Sequence, residues 1–127
     1  MVPDASQTAA QDVRQAISRG IIHLLKEFYG KGPDRARTLY SGDIVLVVLR
    51  GGFTAVEQTL LDAGRGEAVI HQRMAFQEVM EERFRGVIEE HTGRKVIAFM
   101  SGSHQDPDLI TELFILEAVD HDDLLSA

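Results

Sequence analysis

The sequence predicts an α+β fold: two helix-plus-β-hairpin halves forming a four-stranded, mostly antiparallel sheet packed on helices. Three observations point there. Segments 9–29 and 67–92 carry apolar residues at helical spacing. Two pairs of β-rich runs are each split by turn residues. The order helix, hairpin, linking helix, helix, hairpin loosely repeats itself, as helices covering one face of a sheet require.

Residues 1–8 are small and polar and are expected to be a disordered lead-in to a single domain over 9–119. From Ala9 to Tyr29, Val13, Ile17, Ile21, Leu24, Leu25 and Phe28 recur at intervals of three and four, and Gly30-Lys31-Gly32-Pro33 ends the helix. Arg35–Tyr40 and Ile44–Arg50 read as strands joined at Ser41-Gly42-Asp43. The run Ile44–Leu49 is apolar at every position, which predicts a central strand with both faces covered by helices or by a second subunit.

Gly51-Gly52 ends that strand, and Thr54-Ala55-Val56-Glu57 has the spacing of a capping box that opens a short helix to about Ala63. After Gly64-Arg65-Gly66 a long helix covers 67–92, with Val69, Phe76, Met80, Phe84, Val87 and Ile88 as its buried stripe. At 1.5 Å per residue it is about 38 Å long, more than so small a domain needs, so part of it is expected against another protomer. Gly93 caps it. Strands at Val96–Met100 and Ile110–Glu117 then flank a loop over 101–108, and 120–127 form an acidic, solvated tail.

The 127 residues carry a net charge of −7 and no tryptophan, which argues against a phosphate-binding surface or a base-stacking platform, so no nucleic-acid partner is expected. The absence of cysteine excludes disulfide scaffolds, thiolate metal sites and thiol nucleophiles, and agrees with a reducing, cytoplasmic location. No apolar run approaches the roughly 20 residues that span a bilayer, so direct membrane insertion is not expected.

Candidate sites are few. His104, Asp106 and Asp108 bring an imidazole and two carboxylates into one loop, the ligand types a divalent metal accepts, beside the plainer reading as turn residues around Pro107. Gly51-Gly52 and Gly64-Arg65-Gly66 each stand before a helix N-terminus, where exposed amides can hold an anion with Arg65 beside them, although the turn-making role suffices to explain the glycines. Lys31, in Gly30-Lys31-Gly32-Pro33, lacks the spacing of a phosphate-binding loop and marks a helix stop, and Arg94 beside Gly93 is a further basic candidate. Glu78, Glu81 and Glu82, interleaved with Arg83 and Arg85, read as a solvated, salt-bridged face. No nucleophile has an evident base partner and no GxSxG elbow occurs, so no catalytic residue is assigned. No cofactor is predicted beyond a divalent metal at that loop.

Three stretches together are similar to the MpsC family, described as a Na+-translocating membrane potential-generating system domain and formerly as a domain of unknown function. They are Leu25–Pro33, then Leu60-Leu61 through Gly64-Arg65-Gly66-Glu67, then Thr92–Phe99 with His104 and Asp106-Pro107-Asp108. The resemblance implies a small cytoplasmic protein associated with a membrane system that moves cations or supplies bicarbonate, and no defined reaction. The leading expectation is thus a non-enzymatic accessory or regulatory domain, a homodimer or higher homo-oligomer. It would dock on a membrane transport-system protein through its long helix or the His104–Asp108 loop. The alternatives are a small-molecule or metal-binding sensor and a hydrolase built on His104 and the loop carboxylates.

Overall fold

The computed structural model describes residues 5–118, and the acidic tail from 119 onward lies outside them. Helix α1 spans Ala5–Phe28, followed by β1 Arg35–Ser41, β2 Ile44–Arg50, α2 Ala55–Asp62, α3 Gly66–Thr92, β3 Val96–His104 and β4 Leu109–Leu116. The α+β class is confirmed, with strand order β1-β2-β4-β3 and every neighbouring pair antiparallel. Each hairpin forms locally, and the two halves join side by side through β2 and β4.

Several boundaries differ from the sequence reading. The first helix begins at Ala5, inside the expected lead-in. The third begins at Gly66, one residue early. β3 runs to His104 and β4 starts at Leu109, which shrinks the expected loop 101–108 to a four-residue turn. Ser101-Gly102-Ser103 have loop composition, yet they pair with Glu112, Thr111 and Ile110, and cross-strand bonding overrides their weak strand preference.

The core lies between the helices and one face of the sheet. Ile17, Ile21 and Leu25 of α1 and Met80, Phe84 and Ile88 of α3 pack on Val45, Val47, Leu49, Phe114 and Leu116. Where α1 crosses α3, a Cβ on Gly20 would come within 2.7 Å of Val87 Cγ1, so glycine permits the close approach. At the far end of α3, Gly93 adopts φ 68° and its N–H closes the helix onto the Glu89 carbonyl.

β2, expected to be covered on both faces by helices or by a second subunit, has helices on one face only. Its burial alternates: Val45, Val47 and Leu49 are sealed, while Ile44 is 46% exposed and Leu46 and Val48 are half-buried. Register places Leu39, Leu46, Leu113 and Met100 in one row of the outer face and Ile44, Ile115 and Ala98 in the next. An all-aliphatic strand signals two apolar surroundings, and within this single chain only one is supplied.

The stripe of α3 is likewise buried by the chain itself along its length, at Val69, Arg73, Gln77, Met80, Phe84 and Ile88. Its middle is polar. The helix extends beyond the apolar core because its first turns cover a buried charge cluster.

Candidate functional site

Four loops meet at the end of the sheet nearest Arg50. The linker after β2 is held to the 105–108 turn by the Gly51 N–H, which donates to the Asp108 carbonyl at 3.0 Å. That amide is therefore not free to hold an anion. Gly52 sits at φ 102°, and a Cβ there would lie 3.1 Å from Pro33 Cα, so the linker and the 30–33 loop touch backbone to backbone. Lys31 Nζ donates to the Phe53 carbonyl at 3.0 Å, and Gln105 Nε2 donates to the Gly66 carbonyl at 2.8 Å.

Beneath these loops Arg73, only 3% exposed, projects from α3. Its Nε donates to Glu57 Oε2 at 2.7 Å, and a terminal nitrogen donates to Asp108 Oδ1 at 2.9 Å. The Phe53 ring stacks on the guanidinium, 4.3 Å from its centroid. Glu57 is fully buried, held by α2 in the capping box legible in the sequence: its N–H donates to Thr54 Oγ1, and its Oε1 accepts from the Thr54 N–H. The Tyr29 hydroxyl donates to the same carboxylate and in turn accepts from Gln72 Nε2 at 2.9 Å. The cluster thus fastens α1, α2, α3 and the second hairpin together.

Charge states follow from the surroundings. Burial pushes Glu57 up, but hydrogen bonds from Arg73, Tyr29 and the Thr54 N–H outweigh it and hold the carboxyl below its ordinary range. Burial, reinforced by the hydrogen bond to Glu57, pushes Tyr29 up to about 12, so the phenol stays neutral. Arg73 also loses solvation, yet its bonds to Glu57 and Asp108 raise it and keep it charged. The Arg73 charge is thus shared between Glu57 and Asp108, with Asp108 Oδ2 left without a partner. The cluster positions loops and offers no nucleophile.

The sequence-derived candidates separate accordingly. Lys31 and Asp108 come together around the Phe53–Arg73 pair. His104 and Asp106 do not join them: His104 Nδ1 donates to the Pro107 carbonyl at 2.8 Å, and Asp106 is exposed before a cis peptide to Pro107. The expected triad of His104, Asp106 and Asp108 is therefore not assembled, because Asp108 turns inward to Arg73. No group of three imidazole or carboxylate side chains suited to a metal occurs among the described residues. Arg65 pairs with exposed Glu67 at 2.7 Å. Arg94, at the opposite end of the sheet, bonds the Gly42 carbonyl at 2.6 Å and the Glu117 carbonyl at 3.1 Å, clasping the first turn to the last strand.

A second buried carboxylate, Glu112 on β4, faces the helices between Val47 and Ser101. It is fully buried, and neither of its oxygens has a hydrogen-bond partner. Burial pushes it up to about 8, only partly offset by nearby Ser101 and Gln77. Ser101 and Gln77 line a cavity of about 200 Å³ between α3 and β3, walled by Met74, Phe99 and Ile110 with Arg73 at one end.

Arg73 and Glu112 were missed as sites, although each had a signal. Arg73 sits four residues from both Val69 and Gln77 on the stripe that continues to Met80 and Phe84. Glu112 lies in the alternating row Ile110, Glu112, Phe114, Leu116, where every other member is apolar.

This loop-tied domain coincides with the unit that a family model matches. Residues 9–118 match the model described as Na+-translocating membrane potential-generating system (MpsC). The chain belongs to the MpsC family. A curated relative, the uncharacterized protein YrhF of Bacillus subtilis (strain 168), is 24% identical over 96 residues, covering 74% of this chain and 79% of the relative. No solved structure gives a significant match. The MpsC match takes in all seven secondary-structure elements apart from the first residues of α1, together with Arg73, Glu57, Asp108 and Glu112. In this MpsC chain no helix among the described residues is long and apolar enough to cross a membrane.

Proposed function

We propose that this MpsC chain is a non-enzymatic accessory domain that pairs with a second copy of itself and serves a cation-moving or bicarbonate-supplying membrane system through a protein partner. The observation that carries the reading is the open outer face of the sheet. Leu39 is 42% exposed, Ile44 46% and Met100 55%, and Leu46, Leu113 and Ile115 fill the space between them. A contiguous apolar face of this kind marks an interaction surface.

Charge at its two ends favours a second copy as occupant. Arg35, Arg37 and Arg50 flank the apolar rows at one end. At the other end lie Asp43 in the first turn and Glu117 after β4. Two copies stacked face to face in opposite directions set each arginine group towards the partner copy's end that carries these two carboxylates, the self-complementary arrangement of a two-fold interface. The loop-tying Arg73 cluster agrees with a scaffold and not with a catalyst.

Sedimentation equilibrium and membrane co-fractionation of wild type and the double variant Leu39→Glu/Met100→Glu test the proposal. The wild type is expected as a dimer that fractionates with membranes. The variant should be monomeric and lost from them, with its thermal midpoint retained. A monomeric wild type at the highest soluble concentration, or membrane fractionation indifferent to the double substitution, overturns it.

A further inference from the structure

We infer that the free edge of β3 takes an added strand: an extended segment of a partner protein in which basic and apolar residues alternate. β3 is the last strand in the order β1-β2-β4-β3 and spans nine residues, Val96–His104. One row of its backbone N–H and C=O groups therefore has no strand to bond among the described residues. The two edges of the sheet differ in how they meet this condition. β1 carries Arg35 and Arg37, charges of the kind that keep a stray strand away. β3 has no charged residue from Val96 to Ser103, and its one irregularity, between Val96 and Ala98, leaves Ala98–Ser103 in even register. A smooth, uncharged edge is a template for strand pairing.

The helix side of this edge is uncovered, and its lining sets the chemistry of the occupant. On β4 the helix-facing residues Glu112, Phe114 and Leu116 are buried, whereas Ser101 and Ser103, which stand beside Glu112 and Ile110 on the same face of β3, are exposed. Along them runs the cavity of about 200 Å³ between α3 and β3, with Met74 and Phe99 as apolar wall and Glu78 and Glu81 on the α3 side. Glu81 is shared with Arg85 at 3.0 Å, while Glu78 is exposed and has no ion pair among the described residues. Arg73, at one end, is already engaged by Glu57 and Asp108. A strand added to β3 sends alternate side chains towards α3 and the rest to the outer face. Lysine or arginine suits the first set, because the aliphatic stem lies on Phe99 and Met74 while the charge reaches Glu78. Apolar residues suit the second set, which prolongs the outer row Leu39, Leu46, Leu113 and Met100.

Charge favours such a segment over a second copy of the chain. Pairing β3 with its own counterpart about a two-fold axis sets the two α3 helices side by side, so that Glu78 and Glu81 of each copy face those of the other. A basic segment meets the same carboxylates with the opposite sign, and the net charge of −7 draws it in. Stacking through the outer face of the sheet leaves its edges open, so the inference holds for the single chain and for the face-to-face pair alike.

Amide resonances and amide hydrogen exchange of the full chain, titrated with the peptide acetyl-Lys-Val-Lys-Val-Lys-Val-Lys-amide, test this, with the peptide in which glutamate replaces each lysine as control. The basic peptide should give saturable shifts confined to β3 and to residues 74–81 of α3, and should slow exchange at alternate amides within Ala98–Ser103. Two further basic peptides, N-methylated at every valine or at every lysine, separate strand pairing from plain charge attraction. Residues of one parity turn their N–H groups to β3, so one of the two must lose affinity by about tenfold or more while the other keeps it. Glu78→Lys should weaken the basic peptide about tenfold with the circular dichroism spectrum unchanged. Absence of saturable binding, shifts away from β3, or equal binding by the acidic peptide, by both methylated peptides or by Glu78→Lys overturns the inference. Exchange at Ala98–Ser103 that slows with protein concentration in the absence of peptide assigns the edge to a second copy and equally overturns it. Should Glu78→Lys not fold, the salt dependence of the wild type decides: affinity for the basic peptide must fall as sodium chloride is added, and an unmoved affinity overturns the charge assignment.

Discussion

Glu57 and Glu112 are both fully buried, and they are held in opposite ways. Glu57 has Arg73, Tyr29 and the Thr54 amide around it and stays ionised; Glu112 has no bonded partner and is raised to about 8. Both carboxyls are sealed from solvent, but Glu112 sits deeper and lacks a cation, so desolvation raises it, whereas Arg73, Tyr29 and the Thr54 N–H hold Glu57 down. The first binds elements of the fold together. The second imposes a cost on the fold that taking up a proton reduces.

Removing the cation at Glu57 is the hardest test of this contrast. Arg73→Met leaves one carboxylate buried without its counter-charge and a second, Asp108, without its bond, and should cost about 3–5 kcal/mol in urea unfolding. A loss below 1 kcal/mol would show that the pair does not hold the fold. The second test uses pH. The folded pKa of Glu112 lies above its ordinary value of 4.5, so the folded chain binds the extra proton between about 4.5 and 8. Its favourable contribution is complete below 4.5 and is lost as pH rises through about 8. Glu112→Gln should therefore flatten the decline, gaining on the order of a few kcal/mol relative to wild type at alkaline pH in thermal melts across the range. Parallel melting curves would refute the assignment. Glu57 has the opposite sign, since its lowered pKa gives stability at neutral pH that fades as pH falls below 4.5. The smallest effect belongs to the cap: Thr54→Ala removes one of several partners of the Glu57 region and should cost about 1 kcal/mol by chemical denaturation.

Local signals were read correctly. The Thr54–Glu57 cap, the Gly42 turn and the Gly93 helix end each depend on neighbours within a few residues, and the structure has all three. The partnership of Glu57 with Arg73 spans 16 residues and that of Arg73 with Asp108 spans 35, distances at which side-chain type carries no pairing information. Nothing close to Arg73 in the sequence therefore marks it as a buried partner. The His104–Asp108 segment was singled out for its ligand chemistry, yet its working member is Asp108, and it works as a tether. The outer face of β2 was legible only in part: aliphatic content shows that a face wants cover and not whether the same chain provides it.

The strand order also bears on how the chain acquires its shape. Each hairpin closes over a turn of two or four residues and can form early, whereas the β2–β4 junction must bring Arg50 to Leu109 across all of α2 and α3. Loop-closure entropy grows only logarithmically with the intervening length, so this long excursion adds little to the equilibrium cost while setting the slowest contact in the search. The middle seam of the sheet is therefore the place where assembly of the halves is timed.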